Sequence, residues 1–215
     1  MNLNKIIIIT GHYGSGKTNI SANLALKLAE QGQVSVVDLD IVNPYFRTAD
    51  FKKLFAAHNI NLVASKYANS SLDIPALGFD LSGVIKSADY IIIDVGGDDE
   101  GAKALGRYSE MLKAHKYDMF YVINKYRYLT QEADDALALL HEIEAASGLK
   151  CTGIINNSNL GVETTASVIE TSLPYAREIA EKAGVRFVFT AGNKALNCQA
   201  VDFQVEVLVK LVWQD

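Results

Sequence analysis

Several residue classes that often announce a function are scarce here, and each scarcity removes a class of answer. Two cysteines, Cys151 and Cys198, are too few for a disulfide framework, and their spacing is not that of a zinc or redox pair. Both read as reduced, buried side chains. Three prolines punctuate the chain, and no repeat, low-complexity tract or linker marks a second domain. Positive charge is also short. Lys and Arg number 20 against 25 Asp and Glu, a formal net charge of −5, which argues against a generic nucleic-acid-binding surface. Long apolar runs are missing at the N-terminus, where Met1-Asn2-Leu3-Asn4-Lys5 leads into four isoleucines, too short for a secretory signal or a membrane span. A cytoplasmic protein is expected.

What is present is ordinary for a folded protein: 49% apolar and 21% charged residues in 215. That length can bury one sizeable core, and one domain over residues 1–215 is the simpler reading. Ile6 to Ile9 form a β-branched run stopping at Gly11, as suits a strand buried on both faces. From Thr18 to Gln31, Ile20, Leu24 and Leu28 recur at helical spacing, with Gly32 as a stop. Val34 to Val37, Ile60 to Ala64, Tyr90 to Val95, Met119 to Ile123, Thr152 to Ile155 and Val185 to Phe189 read as further strands. Helical stretches lie between most of them, clearest over Thr130 to Ala146, where Ala133, Leu137, Leu140, Ile143 and Ala146 form a stripe. Alternation of strand and helix implies a doubly wound α/β fold, with a mostly parallel sheet and helices on both faces. Residues 201–213 fit either period, and a helix is expected there; segment 65–90 is expected to be irregular.

Gly11-His12-Tyr13-Gly14-Ser15-Gly16-Lys17-Thr18 satisfies Gly-x4-Gly-Lys-[Ser/Thr] between a strand and a helix, the context in which that motif cradles phosphate. Its glycines let successive N–H groups converge on a β-phosphate at a helix N-terminus, continuing to Asn19. Lys17 would neutralise β- and γ-oxygens, and the Thr18 hydroxyl would hold Mg²⁺. Asp94 ends an apolar strand where a second carboxylate is expected beside Mg²⁺; the bland alternative is a strand-end cap. Gly96 and Gly97 would let backbone approach a γ-phosphate closely, while Asp98, Asp99 and Glu100 read as a solvated helix start. Asp38 and Asp40 share one face at the carboxyl end of the second strand, although two aspartates in a loop are common. The aromatic stretch Ile41 to Thr48 suggests a switch segment or partner contact. Asn124-Lys125-Tyr126-Arg127 begins like the guanine-reading Asn-Lys-x-Asp, but Arg127 replaces the aspartate and cannot accept from guanine N1 and N2, disfavouring GTP. Asn156 and Asn157 could meet an adenine edge or act as turn formers.

Together these motifs resemble the MinD/ParA family of P-loop ATPases, which includes the CobQ/CobB-type nucleotide-binding domains. The resemblance rests on Gly11 to Thr18, on Asp38-Leu39-Asp40 with Asn43, and on the strand ending at Asp94. It implies the P-loop NTPase fold, ATP or ADP with Mg²⁺ as ligands, and a water-orienting role for Asp40, with Asp38 and Asp94 near the metal. It further implies base contacts from Asn156 and Asn157, a homodimer across the nucleotide and a protein partner. One departure stands out: the family's lysine after the first glycine, which crosses to the partner subunit's phosphates, is here His12, able to substitute only when protonated. The cysteine positions do not suit an iron–sulfur cluster. Residues 200–215 carry one Lys against Asp202, Glu206 and Asp215, unlike the basic membrane-binding helix of MinD-like relatives.

Three functions follow as expectations. The first is a slowly hydrolysing ATPase switch. The second is a small-molecule kinase or ATP-dependent ligase of the dethiobiotin-synthetase type, with Tyr45, Arg47, Lys66, Asn69 and Arg107 as candidates for a second pocket. The third is a module that binds nucleotide without turnover.

Overall fold

An isoleucine run can alternate faces in a strand only if both faces are covered, and the chain meets that requirement around its first strand, β1 (Ile6–Thr10). The computed structural model describes residues 2–40, 49–64, 80–97 and 99–209. After β1 come α1 (Lys17–Ala29), β2 (Val34–Leu39), α2 (Ala49–Ala57), β3 (Asn61–Ala64), α3 (Leu81–Ser87), β4 (Tyr90–Val95), α4 (Asp99–Gly106) and α5 (Ser109–Lys113). The second half holds β5 (Tyr117–Ile123), α6 (Ala133–Ser147), β6 (Gly153–Asn156), α7 (Ala166–Lys182), β7 (Arg186–Asn193) and β8 (Phe203–Val205), with 3-10 turns at Tyr128–Thr130 and Gly161–Glu163.

The strands form one eight-stranded sheet in the order β3-β2-β4-β1-β5-β6-β7-β8, and every pairing is parallel. Ile6 and Ile8 point into a core shared with α3, α4, α6 and α7. Ile7 and Ile9 point into an opposite core with α1, α2 and the last strand. The expected doubly wound α/β architecture is therefore what the chain adopts. The sequence order reverses at β1, with β4 on one side and β5 on the other. This places the loops after these three strands at the crevice where ligands bind in such sheets.

Three expectations need correction. Residues 203–205 form β8 and not a helix: Ala191, Gly192 and Asn193 pair with Phe203, Gln204 and Val205, Phe203 and Val205 are buried, and Gln204 is exposed. Period two wins because a vacant sheet edge was available to a strand with one apolar face. Within the segment read as irregular, Leu81–Ser87 is helical, with Leu81 and Ile85 buried. Cys198 is half-buried, whereas Cys151 is buried as expected. The aromatic stretch 41–48, residues 65–79 with Lys66 and Asn69, Asp98, and residues 210–213 lie outside the described residues.

Beyond β8 the chain is clasped to α1. The Asn23 side-chain amide donates to the Glu206 backbone carbonyl at 3.0 Å and to the Asn19 backbone carbonyl at 2.8 Å, and Asn23 Oδ1 accepts from Glu206 N–H at 2.8 Å. One turn earlier, the Asn19 side-chain oxygen accepts from Leu208 N–H at 2.9 Å and Val209 N–H at 3.3 Å. Removing a buried, fully engaged amide leaves its backbone partners unpaired. Asn23→Ala should lower unfolding free energy by about 1–3 kcal/mol in urea titration, and amide exchange at Glu206 and Leu208 should accelerate. A midpoint equal to wild type would show the clasp to be energetically idle.

Candidate functional site: a phosphate-binding loop

The loop between β1 and α1 folds so that its own backbone cannot close it into ordinary structure. Gly14 and Gly16 adopt left-handed φ of 76° and 89°, a conformation that glycine takes without steric penalty. Ser15 N–H donates back to the His12 carbonyl at 3.1 Å, and helical bonding starts with Ile20 N–H to the Gly16 carbonyl at 3.0 Å. The first turn of α1 contains no acidic residue, so no carboxylate of the helix itself competes with an anion for its N-terminus. Loop N–H groups and a helix N-terminus therefore converge where a phosphate can be held.

Beneath this cradle lies Asp94, which is 1% exposed. The parallel register sets it opposite Ile9 of β1 and opposite Asp38 of β2. Thr18 Oγ1 donates to its Oδ2 at 2.8 Å, and Ser21 Oγ donates to its Oδ1 at 2.6 Å. Burial is the dominant influence on this carboxyl and pushes its pKa up to about 6; the Ser21 bond, the Lys17 charge and the Thr18 bond hold it from rising further, while the Asp40 charge adds to the rise. A desolvated carboxylate next to a threonine hydroxyl is a hard-oxygen pair suited to Mg²⁺, whose charge would relieve the burial cost. Among the described residues no three His, Cys, Asp or Glu side chains form a ready-made cage. Thr18 and Asp94 are the side chains that could hold Mg²⁺.

Asp38 and Asp40 are both buried at the same carboxyl edge, and Asp38 Oδ1 accepts Asp40 N–H at 3.0 Å, fixing the turn out of β2. Lys17 folds back over the loop, its Nζ donating to the His12 carbonyl at 3.3 Å. Gly97 comes so close that a Cβ there would lie 2.7 Å from both Lys17 Nζ and Tyr13 N. The loop after β4 thus abuts the phosphate loop, as its two glycines suggested. His12 has its pKa lowered, chiefly by burial and then by the Lys17 charge. The imidazole is accordingly neutral at physiological pH, and the protonated stand-in for the family's lysine is disfavoured by its surroundings.

On the other flank, several asparagines turn out to hold the frame. Asn156 is fully buried: its amide donates to Ser172 Oγ at 2.9 Å and its side-chain oxygen accepts from Ser158 N–H at 3.2 Å. The expected base contact is therefore corrected, because both ends of the side chain are consumed inside the core. Asn157 donates its amide to the Ser15 carbonyl at 2.8 Å, directly behind Gly16, where a Cβ would fall 2.2 Å from that nitrogen. It stitches the phosphate loop where an adenine contact was expected. The Asn19 side-chain oxygen faces the C-terminal segment, leaving its backbone as its link to the cradle. Arg107 is exposed just beyond the end of α4, where Gly106 packs against the Ala146 carbonyl near the end of α6. Both helices have by then run back from the carboxyl edge, so Arg107 is corrected as a pocket candidate. Ser21 was missed, although its position three residues after Thr18 places both hydroxyls on one helical face.

The family model for the CobQ/CobB/MinD/ParA nucleotide binding domain matches residues 6–166. No curated protein matches the chain. Among solved structures, cell division protein ftsY from Thermotoga maritima is similar at 19% identity and TM-score 0.58, over 88% of this chain and 62% of that one. FtsY from Mycoplasma mycoides matches at 18% identity and TM-score 0.61, over 89% and 60%. The 54 kDa signal recognition particle protein from Aeropyrum pernix, solved with GDP, matches at 17% and TM-score 0.58, over 88% and 41%. The chain thus spans about three fifths of the length of the FtsY structures, and at these identities the likeness is one of fold.

The buried carboxyl has a thermodynamic consequence. Its folded pKa, about 6, lies above the ordinary value near 4, so the folded state holds the proton more tightly than the unfolded state. Stability is therefore fully present below about pH 4 and declines as pH rises to about 6, by about 3 kcal/mol in total. Asp94→Asn should flatten that segment of the stability–pH curve and raise the urea midpoint of the nucleotide-free protein at pH 7. A variant less stable than wild type at pH 7 would contradict this account.

Proposed function

This chain belongs to the family of CobQ/CobB/MinD/ParA nucleotide-binding domains, and from that premise we propose that it binds ATP with Mg²⁺, hydrolyses it slowly and serves as a nucleotide-dependent switch for a protein partner. The observation that carries this reading is the buried Asp94 carboxylate joined to Thr18 and Ser21 directly under a glycine-rich loop with Lys17 folded across it. Loop N–H groups and Lys17 would hold β- and γ-phosphate oxygens, Thr18 and Asp94 would hold the metal, and Asp38 would brace Asp40 at the edge. Mg²⁺, when bound, supplies charge neutralisation at the phosphates. Asp40 is the residue assigned to orient the attacking water.

Adenine is preferred over guanine because Arg127 stands where a guanine-reading site needs a carboxylate. Guanine nucleotides appear in the names of some similar structures, GDP with the Aeropyrum protein and GMPPNP with FlhF, at 17% and 13% identity. The contact between Gly97 and the loop supports a switch: a γ-phosphate entering between Lys17 and Gly97 would have to displace the backbone after β4, which leads into α4. In this reading the protein works in the cytoplasm. Among the described residues no helix is long and apolar enough to cross a membrane.

The depressed His12 pKa favours a second reading, the small-molecule kinase or ligase. A neutral His12 supplies no cation across a face-to-face dimer, and the kinase or ligase reading needs no such trans contact.

Titration calorimetry with MgATP, MgADP and MgGTP, with molecular mass measured in each nucleotide state, separates these readings. Lys17→Ala should weaken MgATP binding by about 10- to 100-fold; binding independent of Lys17 would sink the phosphate-loop assignment. Asp40→Ala should retain ATP and lose about 100-fold or more in turnover, whereas unchanged turnover would remove Asp40 from the mechanism. ATP-dependent dimerisation supports the switch, and a constant monomer supports the metabolic enzyme.

A further inference from the structure

The turn after β5 opens like a guanine-reading motif and then departs from it, and the structure shows how the departure is built. Asn124 is buried at 1% exposure and ties two loops together, its side-chain oxygen accepting from Tyr126 N–H at 3.0 Å and Asn159 N–H at 3.3 Å. Thr130 Oγ1 donates to the Asn124 carbonyl at 3.1 Å and closes the turn. The two residues between Asn124 and Arg127 face away from the phosphate loop. Lys125 Nζ lies over the Tyr175 ring, 4.9 Å from its centroid, and Tyr126 Oη donates to the Val168 carbonyl at 2.6 Å. Arg127 alone of the three reaches the cradle: its Nε donates to the Gly14 carbonyl at 2.8 Å. A Cβ on Gly14 would lie 3.3 Å from that Nε and 3.4 Å from Cζ, so the guanidinium lies in close contact with the loop backbone. Arg127 is otherwise exposed.

Topology says which part of a nucleotide would meet it. Thr18, Asp94 and Asp38 place the metal and γ-phosphate end on the β4 and β2 side of β1. The nucleoside, at the other end of the triphosphate, is directed to the β5 and β6 side, where Arg127 is anchored. We propose that Arg127 is a base-facing residue of the nucleotide site, its guanidinium held by Gly14 and offering its flat face to stack on the purine. This inference rests on the nucleotide-binding reading above and adds the residue that grips the base. Stacking addresses the ring face and carries no acceptor for a guanine edge, which explains how the turn can keep the Asn-Lys opening without its carboxylate.

The test is calorimetric titration of MgATP and of magnesium tripolyphosphate, which has no base, into wild type, Arg127→Ala, Arg127→Lys and Arg127→Tyr. Arg127→Ala should weaken MgATP by about 5- to 30-fold and leave tripolyphosphate unchanged. Arg127→Tyr, which offers a face without charge, should recover much of the ATP affinity, and Arg127→Lys should not. Equal loss of both ligands in Arg127→Ala, rescue by lysine only, or no loss at all overturns the proposal while leaving the phosphate-loop reading intact. Failure of wild type to bind either ligand overturns both.

Discussion

A carboxylate with 1% exposure at the centre of a sheet edge is costly to bury, and much of the site is organised around Asp94. Its two oxygens take hydroxyls one helical turn apart on α1, so the helix that carries the phosphate loop is locked in rotation and height against β4. Burial keeps water from the carboxyl and raises its pKa to about 6. A protein selected only for stability would gain from an amide there. Retaining the acid makes sense where a cation is to be gripped, because the unfavourable burial is relieved when that cation arrives.

The same helix is held at two further points. Asn157 pins the loop backbone at Ser15, and the clasp by Asn19 and Asn23 pins its outer side to the C-terminal segment. In these bonds the Asn157 and Asn23 amides donate to backbone carbonyls and the Asn19 oxygen accepts from C-terminal backbone N–H groups, so none of them uses a loop N–H. Rigidity of the cradle thus comes from its surroundings, and the left-handed glycines need supply only shape.

The site is asymmetric about β1. Acidic residues collect at the ends of β4 and β2, amide and guanidinium groups at the ends of β5 and β6, and the order of strands in the sheet sorts them. One elongated ligand, anionic and metal-bound at one end and planar at the other, matches that division. Gly97 against Lys17 places the loop after β4 beside the phosphate loop, shortly before the start of α4.

Local chemistry made the phosphate loop, Asp94, the strand–helix alternation and the parallel sheet legible in the amino-acid order, because each depends on residues adjacent in the chain or on a simple period. The asparagines misled for the opposite reason. An amide at a strand end reads equally as base contact or brace, and only packing revealed that Asn156 bonds Ser172 and that Asn157 bonds Ser15, 142 residues away. β8 was obscured because no helix separates it from β7, and because its period competed with a helical one until a free sheet edge decided between them. Arg127 read as a missing aspartate, and tertiary structure turned it into a tether on Gly14 across 113 residues. The sequence by itself determined the fold class and the phosphate-binding loop. The partners of its amides and of Arg127 were decided by which strands lie beside β1, and no local pattern encodes that order.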